Sequence, residues 1–358
     1  MNFVSRILAS RALSRAKKLA ANGRADEALR QLSQLVRQRD NPVLERALVD
    51  LRLKNCSARE PAMSEVGEPG GDTAGVMEFR EGIPEVDAAD FSVPLLRRAI
   101  SEAGYLIVRG FFDQQDAAEL RGCVDASLNA RVDIESDNEA KPADNPWYYP
   151  SPHFPGKHVS FASEASKKTY MRTGSIRVID SPRGSFKVLD IYRKHRMKAI
   201  VEAYFGEPAV LATRKWVFRL VTPRDDVGKG IGGGWHQDGR FMGQDIRALN
   251  MWVALSDCGH GTAAPGMAII PKRISTILET GTREAQFNWV VPPSLVEEIA
   301  QAAPLTKPHF AAGDALFFDH FSLHRSGHDE GQSENRYALE SWFYASSASA
   351  DNAVIDLV

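Results

Sequence analysis

The sequence has few cysteines and no long apolar run, and each absence excludes a class of protein. Its three cysteines, Cys56, Cys123 and Cys258, are scattered and odd in number. This argues against a disulfide framework, and because no Cys-x-x-Cys pair occurs, a zinc site built from cysteines is excluded as well. No stretch reaches 18 uninterrupted apolar residues, so the sequence predicts no membrane span. We therefore expect a cytoplasmic protein.

Acidic residues are absent before Asp26, although six basic residues occur there. Residues 1–55 carry 12 Lys and Arg against 5 Asp and Glu, whereas the remainder carries 32 against 41. The acidic remainder has no patches in which basic and aromatic residues alternate, so nucleic-acid binding is not expected. The basic start superficially resembles an organelle transit peptide, but the helical pattern continues past it without an obvious cleavage region.

Residues 1–55 are predicted to form a basic helical segment. Apolar residues recur at helical spacing over residues 3–21, Gly23 interrupts the pattern, and two further helices follow. The residues predicted on the buried face of the second helix are Leu32, Leu35 and Val36. We expect these helices to pack on the catalytic part of the chain or on a second subunit, with an anionic surface as the alternative.

A stretch rich in Gly, Pro, Ser and acidic residues follows the basic helical segment. This stretch, residues 56–75, is predicted to be a linker to a domain of residues 76–358. Helical patterns occupy Val93–Ala103 and Gln114–Ser127, and the proline-rich stretch Asp137–Lys157 is either an active-site cover or a surface loop.

Short alternating apolar runs, separated by Gly, Pro and Asp, dominate from about Val210 onwards. The predicted strands are Val217–Val221, Leu249–Leu255, Ala268–Ile270, Ala315–Phe318 and Tyr337–Tyr344. Glu284–Ala303 is an inserted, partly helical segment between them. This pattern is typical of an antiparallel sandwich or barrel. The expected fold is therefore mainly β with helices.

Two histidines and one carboxylate are the main candidates for chemistry. His236, Gln237 and Asp238 are consecutive, His324 follows 86 residues after Asp238, and Arg336 lies 12 residues further on. Residues i and i+2 of a strand project to the same side, so the first pair suits a strand end. Two imidazoles and one carboxylate are typical of a non-haem Fe(II) centre that keeps positions open. For either histidine alone, a structural hydrogen bond in a loop is the alternative.

The motifs around these residues resemble the phytanoyl-CoA dioxygenase family of Fe(II)/2-oxoglutarate-dependent oxygenases. They are Gly104–Phe112, Gly232–Gly239, Gly313–Asp319 and Leu323–Gly327, followed by Arg336. The resemblance spans about residues 90–345. It implies a double-stranded β-helix (a cupin-like jelly roll) that binds Fe(II). It also implies 2-oxoglutarate as cosubstrate and O2 as the oxidant.

The resemblance also implies roles for the residues of these motifs. His236, Asp238 and His324 are implied as metal ligands and thus as the catalytic residues. His320 is a rival for the third position, but the family places its ligand before a Ser-Gly step, which selects His324. His328 is a weaker rival in a polar loop.

Four further residues are candidates for contact with the cosubstrate. Arg336 is implied to hold the distal carboxylate of 2-oxoglutarate, which a guanidinium matches with its planar fork. Ser326 would offer a hydroxyl to the same molecule. Trp252 lies where the family has a cosubstrate-contacting tryptophan, and a place in the core is its alternative. Arg219 would bind the cosubstrate or an anionic substrate if it points inward, and is otherwise a solvated charge.

The function expected from this set is hydroxylation of a small molecule, with succinate and CO2 as products of 2-oxoglutarate. Asp238 favours hydroxylation or another outcome of hydrogen abstraction, because related halogenases have Gly or Ala at the carboxylate position. Two alternatives remain open at the level of sequence. One is an inactive barrel that serves as a binding or scaffold protein, and the other is a different metal-dependent activity on a cupin-like barrel.

Overall fold

The computed structural model describes residues 3–57, 77–80, 82–136, 145–149, 174–223, 234–285, 287–349 and 354–357. Nearly all of the predicted linker (56–75) lies outside these residues, and so does most of the Asp137–Lys157 loop. Residues 145–149 of that loop are described, and two of their rings pack against helices: the Arg46 guanidinium lies 4.5 Å from the centroid of the Tyr149 ring, and that of Arg183 lies 5.5 Å from the centroid of the Trp147 ring.

Helices precede most of the strands in the described part of the chain. They are α1 (Phe3–Ala21), α2 (Ala25–Gln38), α3 (Pro42–Ser57), α4 (Val93–Ala103), α5 (Gln114–Ser136), α6 (Pro182–Lys194), α7 (Met197–Phe205), α8 (Gly239–Met242) and α9 (Pro293–Ala300). The predicted helix Val93–Ala103 is confirmed at both ends, whereas the helix that begins at Gln114 continues nine residues beyond its predicted end.

Eleven strands are described. They are β1 (Glu78–Arg80), β2 (Ile83–Asp87), β3 (Tyr105–Arg109), β4 (Ile176–Arg177), β5 (Ala209–Val221), β6 (Ala248–Ala254), β7 (Gly266–Ile269), β8 (Ala315–Phe318), β9 (His324–Gly327), β10 (Arg336–Ala345) and β11 (Val354–Asp356). None of the helices among the described residues is long and apolar enough to cross a membrane.

The boundary between α4 and β3 shows how local sequence begins the sheet. The Ser92 hydroxyl accepts a hydrogen bond from the Leu95 backbone N–H, and Pro94 occupies the first turn, as is favourable at a helix start. The helix ends at Gly104, whose φ of 85° is readily adopted only by glycine. The chain then enters β3 directly, and β3 pairs with β8.

The strands form a large sheet and a small one. The large sheet has the order β1-β2-β3-β8-β6-β10-β5-β11, and β4 pairs additionally with β5. All of its pairs are antiparallel except β2 with β3. The small sheet pairs β7 with β9, and single bridges extend it on both sides, from Ile269 to Thr306 and from His324 to His236.

The two sheets face each other across an apolar interior. Trp252, Phe318 and Trp342 of the large sheet pack in one cluster with Met267 and Ile269 of the small sheet. Alternate residues of the large sheet point to its other face, where they form a second core beneath α4, α5, α6 and α7. Two facing sheets of this kind, with helices on the outside, form a jelly roll, as predicted.

The three N-terminal helices pack on this unit. Phe186 of α6 lies in their apolar cluster, while Val49 and Leu53 of α3 belong to the core beneath the large sheet. The buried Glu45 carboxylate pairs with Arg183 at 3.0 Å. One prediction here is wrong: Leu32 and Val36 are buried, but Leu35 is 39% exposed. The buried stripe of α2 is narrower than the sequence pattern indicates.

Candidate metal centre

The two histidines of the predicted ligand set are neighbours in the small sheet. The backbone N–H of His236 donates to the carbonyl of His324 at 3.0 Å, and the reverse bond measures 3.1 Å. This antiparallel bridge brings the two imidazole centroids to 4.5 Å. Residues 88 positions apart in sequence are thus fixed side by side by the pairing of their own backbones.

Asp238 completes the set. One ligand atom from each of His236, Asp238 and His324 lies within 4.8 Å of the others, and this is the metal-compatible group found among the described residues. The His324 Nε2 atom is 3.6 Å from Asp238 Oδ2. The rival residue His320 is not in this group; its Nε2 lies 3.2 Å from the carbonyl oxygen of Gln244. His328 is not in the group either.

Both imidazoles are oriented by backbone carbonyls. His236 Nδ1 lies 2.8 Å from the Gly234 oxygen, and His324 Nδ1 lies 3.1 Å from the Ser322 oxygen. In each ring the Nδ1–H therefore donates, which leaves the lone pair on Nε2. Burial, aided by the neighbouring His324, lowers the pKa of His236 to about 4. His236 is accordingly neutral at pH 7 and can act as a ligand.

The carboxylate is held by a lysine that the sequence does not single out. Lys215 of β5 donates from Nζ to Asp238 Oδ1 at 2.7 Å. Burial alone would raise the pKa of Asp238, but Lys215 and the two histidines outweigh it, so the pKa lies below its usual range. Asp238 is therefore ionised, and its second oxygen faces His324. Lys215 is separated from Asp238 by 23 residues, and no local pattern marks it.

The turn between the first two ligands is also fixed. The Gln237 side chain is buried, donates to the carbonyls of Thr276 and Phe321, and accepts from the Leu278 N–H at 2.7 Å. Next to Asp238, a Cβ on Gly239 would lie 2.8 Å from the backbone oxygen of His320, which cannot move aside as a side-chain tip can. Only glycine fits at this close approach. Gly232 and Gly233 lie outside the described residues.

A buried guanidinium lies beside the ligand set. Arg336 is 2% exposed and donates through Nη1 to the Gly266 carbonyl and through Nη2 to Ser326 Oγ at 3.3 Å. Its Nε has no hydrogen-bond partner, and no carboxylate of the described residues forms an ion pair with it. Its Cζ lies 5.5 Å from the centroid of the Trp252 ring. Burial lowers the pKa of Arg336 to about 10, so it is still charged at pH 7.

Arg336 is connected to the candidate ligands through β9. Ser326 and His324 lie two residues apart on β9, so their side chains leave the strand on the same side. The Arg336 guanidinium donates a hydrogen bond to Ser326, so it lies on the side of β9 that carries the His324 imidazole. The structure thus brings together His236, Asp238, His324, Arg336, Ser326 and Trp252, all named from sequence.

Arg219 is the remaining sequence candidate. It lies on β5, and its Nε donates to Glu340 of β10 at 2.6 Å. The side chain is 33% exposed. Its charge is therefore already balanced by a carboxylate, unlike that of Arg336.

One polar residue in the interior could not be singled out from sequence. Asn250 of β6 is fully buried, and neither its amide oxygen nor its amide nitrogen has a hydrogen-bond partner. It alternates with Leu249 and Met251, which point to the helices, so it shares the inner face with Trp252. The ring of its register partner Phe318 contacts that of His324 at a tilt of 58°, with ring centroids 4.8 Å apart. Buried amides are normally paired, so this one can donate to and accept from a polar group of a bound molecule.

The jelly roll and its His-Asp-His set define the class of this protein as a non-haem iron dioxygenase. Residues 100–336 match the phytanoyl-CoA dioxygenase (PhyH) family, and the chain belongs to that family. Iron and 2-oxoglutarate are accordingly its cofactors, and the buried guanidinium without a counter-ion is suited to a dicarboxylate of this kind. No curated protein sequence matches the chain.

Several solved structures are similar in fold. The epimerase SnoN, in complex with Fe3+, alpha ketoglutarate and nogalamycin RO, is 17% identical, with a TM-score of 0.45 over 73% of this chain and 86% of SnoN. EctD from S. alaskensis, with 2-oxoglutarate and 5-hydroxyectoine, is 16% identical, with a TM-score of 0.46 over 72% of this chain and 77% of EctD. The carbocyclase SnoK from nogalamycin biosynthesis is 15% identical, with a TM-score of 0.47 over 73% and 86%.

Proposed function

We propose that this oxygenase hydroxylates an unactivated C–H bond of a small molecule and that His236, Asp238 and His324 hold its iron. Two imidazoles with free Nε2 atoms and one ionised carboxylate, all within 4.8 Å, support this assignment. When bound, iron and 2-oxoglutarate supply the oxidising chemistry, in which O2 is consumed and succinate and CO2 are formed. The chain itself positions the reactants and excludes water.

The observation that carries the proposal is the buried charge of Arg336. Burying a cation without a counter-ion is unfavourable, so a protein retains one where a bound anion completes it. The guanidinium fork matches a carboxylate, and we assign to it the distal carboxylate of 2-oxoglutarate. Because Ser326 Oγ accepts from Arg336, its own O–H is free to donate to the same carboxylate. Trp252 forms the wall beneath the guanidinium.

Two polar groups on the inner face are assigned to the bound molecules. The Asn250 amide, which lacks partners in the protein, would hydrogen-bond a ligand held between the sheets. Arg219 remains a proposed contact for the cosubstrate or for an anionic group of the substrate. Glu340 balances the charge of Arg219 in the structure. The buried Asn250 amide also argues against an inactive scaffold, in which an amide without a polar partner would have no purpose.

Asp238 favours hydroxylation over halogenation. Halogenases of this class have a small residue at the position of the carboxylate ligand, which leaves room for a halide. Here the carboxylate is present, ionised and held by Lys215. We therefore propose that the substrate receives oxygen.

The test is succinate release from 2-oxoglutarate, with Fe(II) and ascorbate, across a panel of small metabolites. At least one compound is expected to stimulate succinate formation, and Asp238→Ala is expected to abolish the stimulation because it removes a ligand. His260→Gln is the matched control, since His260 is 74% exposed and lies outside the ligand set. Wild-type stimulation in Asp238→Ala would show that the ligand assignment is wrong.

A further inference from the structure

Exposed aromatic side chains are concentrated beside the first metal ligand. Six large hydrophobic residues of the described chain are exposed: Leu35, Val43, Phe79, Val132, Phe241 and Phe287. Three of them are aromatic, and two of these three, Phe241 (52% exposed) and Phe287 (47%), belong to one cluster with Trp289. Single exposed apolar residues are ordinary, but a cluster that borders a reactive centre indicates a binding surface.

The rings of this aromatic trio (Phe241, Phe287 and Trp289) are arranged around His236. The edge of Trp289 meets the imidazole at a centroid distance of 5.6 Å and an angle of 85°, and Phe241 meets it at 6.4 Å and 65°. Phe241 follows Asp238 by three residues, in the short helix α8. The Lys215 ammonium lies 4.8 Å from the centroid of the Phe241 ring and also pairs with Asp238. The trio is therefore continuous with the metal centre.

The outer end of the trio offers a flat face. Phe287 and Trp289 lie nearly parallel, at 11°, with centroids 5.7 Å apart. Core packing does not explain this pair, because nearly half of the Phe287 side chain faces solvent. Exposed aromatic faces lose contact with water when a second flat apolar ring covers them, and ring pairs attract each other beyond the effect of buried area.

On the basis of the iron site proposed above, we propose that the aromatic trio binds a flat, unsaturated ring system of the substrate beside His236. The ring system lies against Phe287 and Trp289, and the part of the substrate that reacts extends past Phe241 towards the metal ligands. The trio thus selects for ring-bearing small molecules over saturated ones. Its charged inner border, Lys215 with Asp238, is part of the metal centre and does not select.

The test measures binding of 2-naphthol, a flat bicyclic probe, and of its saturated counterpart decahydro-2-naphthol. Full-length protein is loaded with Mn(II) and 2-oxoglutarate, and affinities are measured by ligand-observed NMR. We expect 2-naphthol to bind about fivefold or more tightly than decahydro-2-naphthol, and Phe287→Ala to lose about fivefold of the 2-naphthol affinity. Phe79→Ala is the matched control, an exposed phenylalanine on β1, and should bind as the wild type does.

Mn(II) supplies a second readout, since it broadens the lines of a probe bound nearby. Broadening of the 2-naphthol resonances is expected in the wild type. Equal affinity for the two probes, wild-type affinity in Phe287→Ala, binding without broadening in the Mn(II)-loaded protein, or no binding of 2-naphthol would each overturn the proposal. Phe287→Leu keeps the apolar bulk without the ring, and it should lose most of the same affinity.

Failure of the iron site is distinguishable from failure of the ring site. If electron paramagnetic resonance shows that Mn(II) does not bind, the proposed metal ligands are wrong. The affinity of the metal-free protein for 2-naphthol, and its loss in Phe287→Ala, then still reports on the aromatic trio.

Discussion

Lys215 shows how one side chain keeps the ligand set ready for a cation. The ionised Asp238 carboxylate is a buried negative charge, which burial would otherwise neutralise by protonation. The Lys215 ammonium balances that charge at 2.7 Å, and the carboxylate remains available to a metal. From sequence, Lys215 is one of several basic residues in its region, and only the folded chain places it against Asp238.

Replacing Arg336 tests the anchor of the cosubstrate. Arg336→Met removes a charge-assisted pair worth about 1.5–3 kcal/mol, so 2-oxoglutarate should bind about 10-fold to 100-fold more weakly. The affinity is measured anaerobically by titrating the Fe(II) protein with 2-oxoglutarate and following the absorption band of the complex. Affinity for Fe(II) alone should be unchanged, since Arg336 is not among the ligands.

Arg219→Met is the matched variant for that measurement. Glu340 already holds the Arg219 guanidinium, so its loss should weaken 2-oxoglutarate binding less than the loss of Arg336 does. A larger effect from Arg219→Met than from Arg336→Met would mean that the anchor has been assigned to the wrong arginine.

At the scale of elements, the sequence predicts best where a pattern is long and regular. The helix Val93–Ala103 and the strand Ala315–Phe318 match the structure at both ends. β5 is predicted from Val217 but begins at Ala209. Its pairing with β10 shifts register between Ser341 and Phe343, and the charged pair before Trp216 interrupts the apolar alternation there. Lys215 lies in this irregular stretch. The same irregularity therefore hides the strand from prediction and places Lys215 against Asp238.

Some short strands and the helix α6 are not predicted from the sequence, for a different reason. β4 and β11 have two and three residues, too few for a periodic signal, and β9 (His324–Gly327) has no apolar run of the kind that marks Ala315–Phe318. The helix α6 does begin with a recognisable Ser-Pro cap, since the Ser181 hydroxyl accepts from the Gly184 N–H at 3.2 Å. That signal would have predicted its start.

The packing of the N-terminal helices gives a prediction for stability. Leu48 of α3 is fully buried in the cluster that contains Phe186 of α6. Leu48→Ala should lower the free energy of unfolding by about 2–5 kcal/mol, because it leaves a cavity. Leu35→Ala is the control and should change it by less than about 0.5 kcal/mol, since Leu35 is partly exposed. Urea denaturation of the full chain measures both; equal effects would mean that the helices do not pack as described.

At the scale of the whole molecule, the sequence alone predicts the class of fold and the candidate ligand set. Alternating runs predict two sheets, and the spacing of His236, Asp238 and His324 fits a centre assembled from distant strands. The sequence does not predict the roles of Lys215, the buried Gln237 and the unpaired Asn250, because these roles depend on contacts between separate elements. The aromatic trio combines α8 with the loop before α9, and only tertiary structure brings those segments together.

The whole account depends on three side chains from two distant segments binding one iron ion. The most direct measurement is anaerobic titration of the full chain with Fe(II) in the presence of 2-oxoglutarate, followed by the absorption band of the complex. We predict a band that saturates at one Fe(II) per chain, is absent in His324→Ala, and persists in His320→Gln, since His320 contacts Gln244 instead of the ligand set. A band that survives in His324→Ala, or disappears in His320→Gln, would contradict the account.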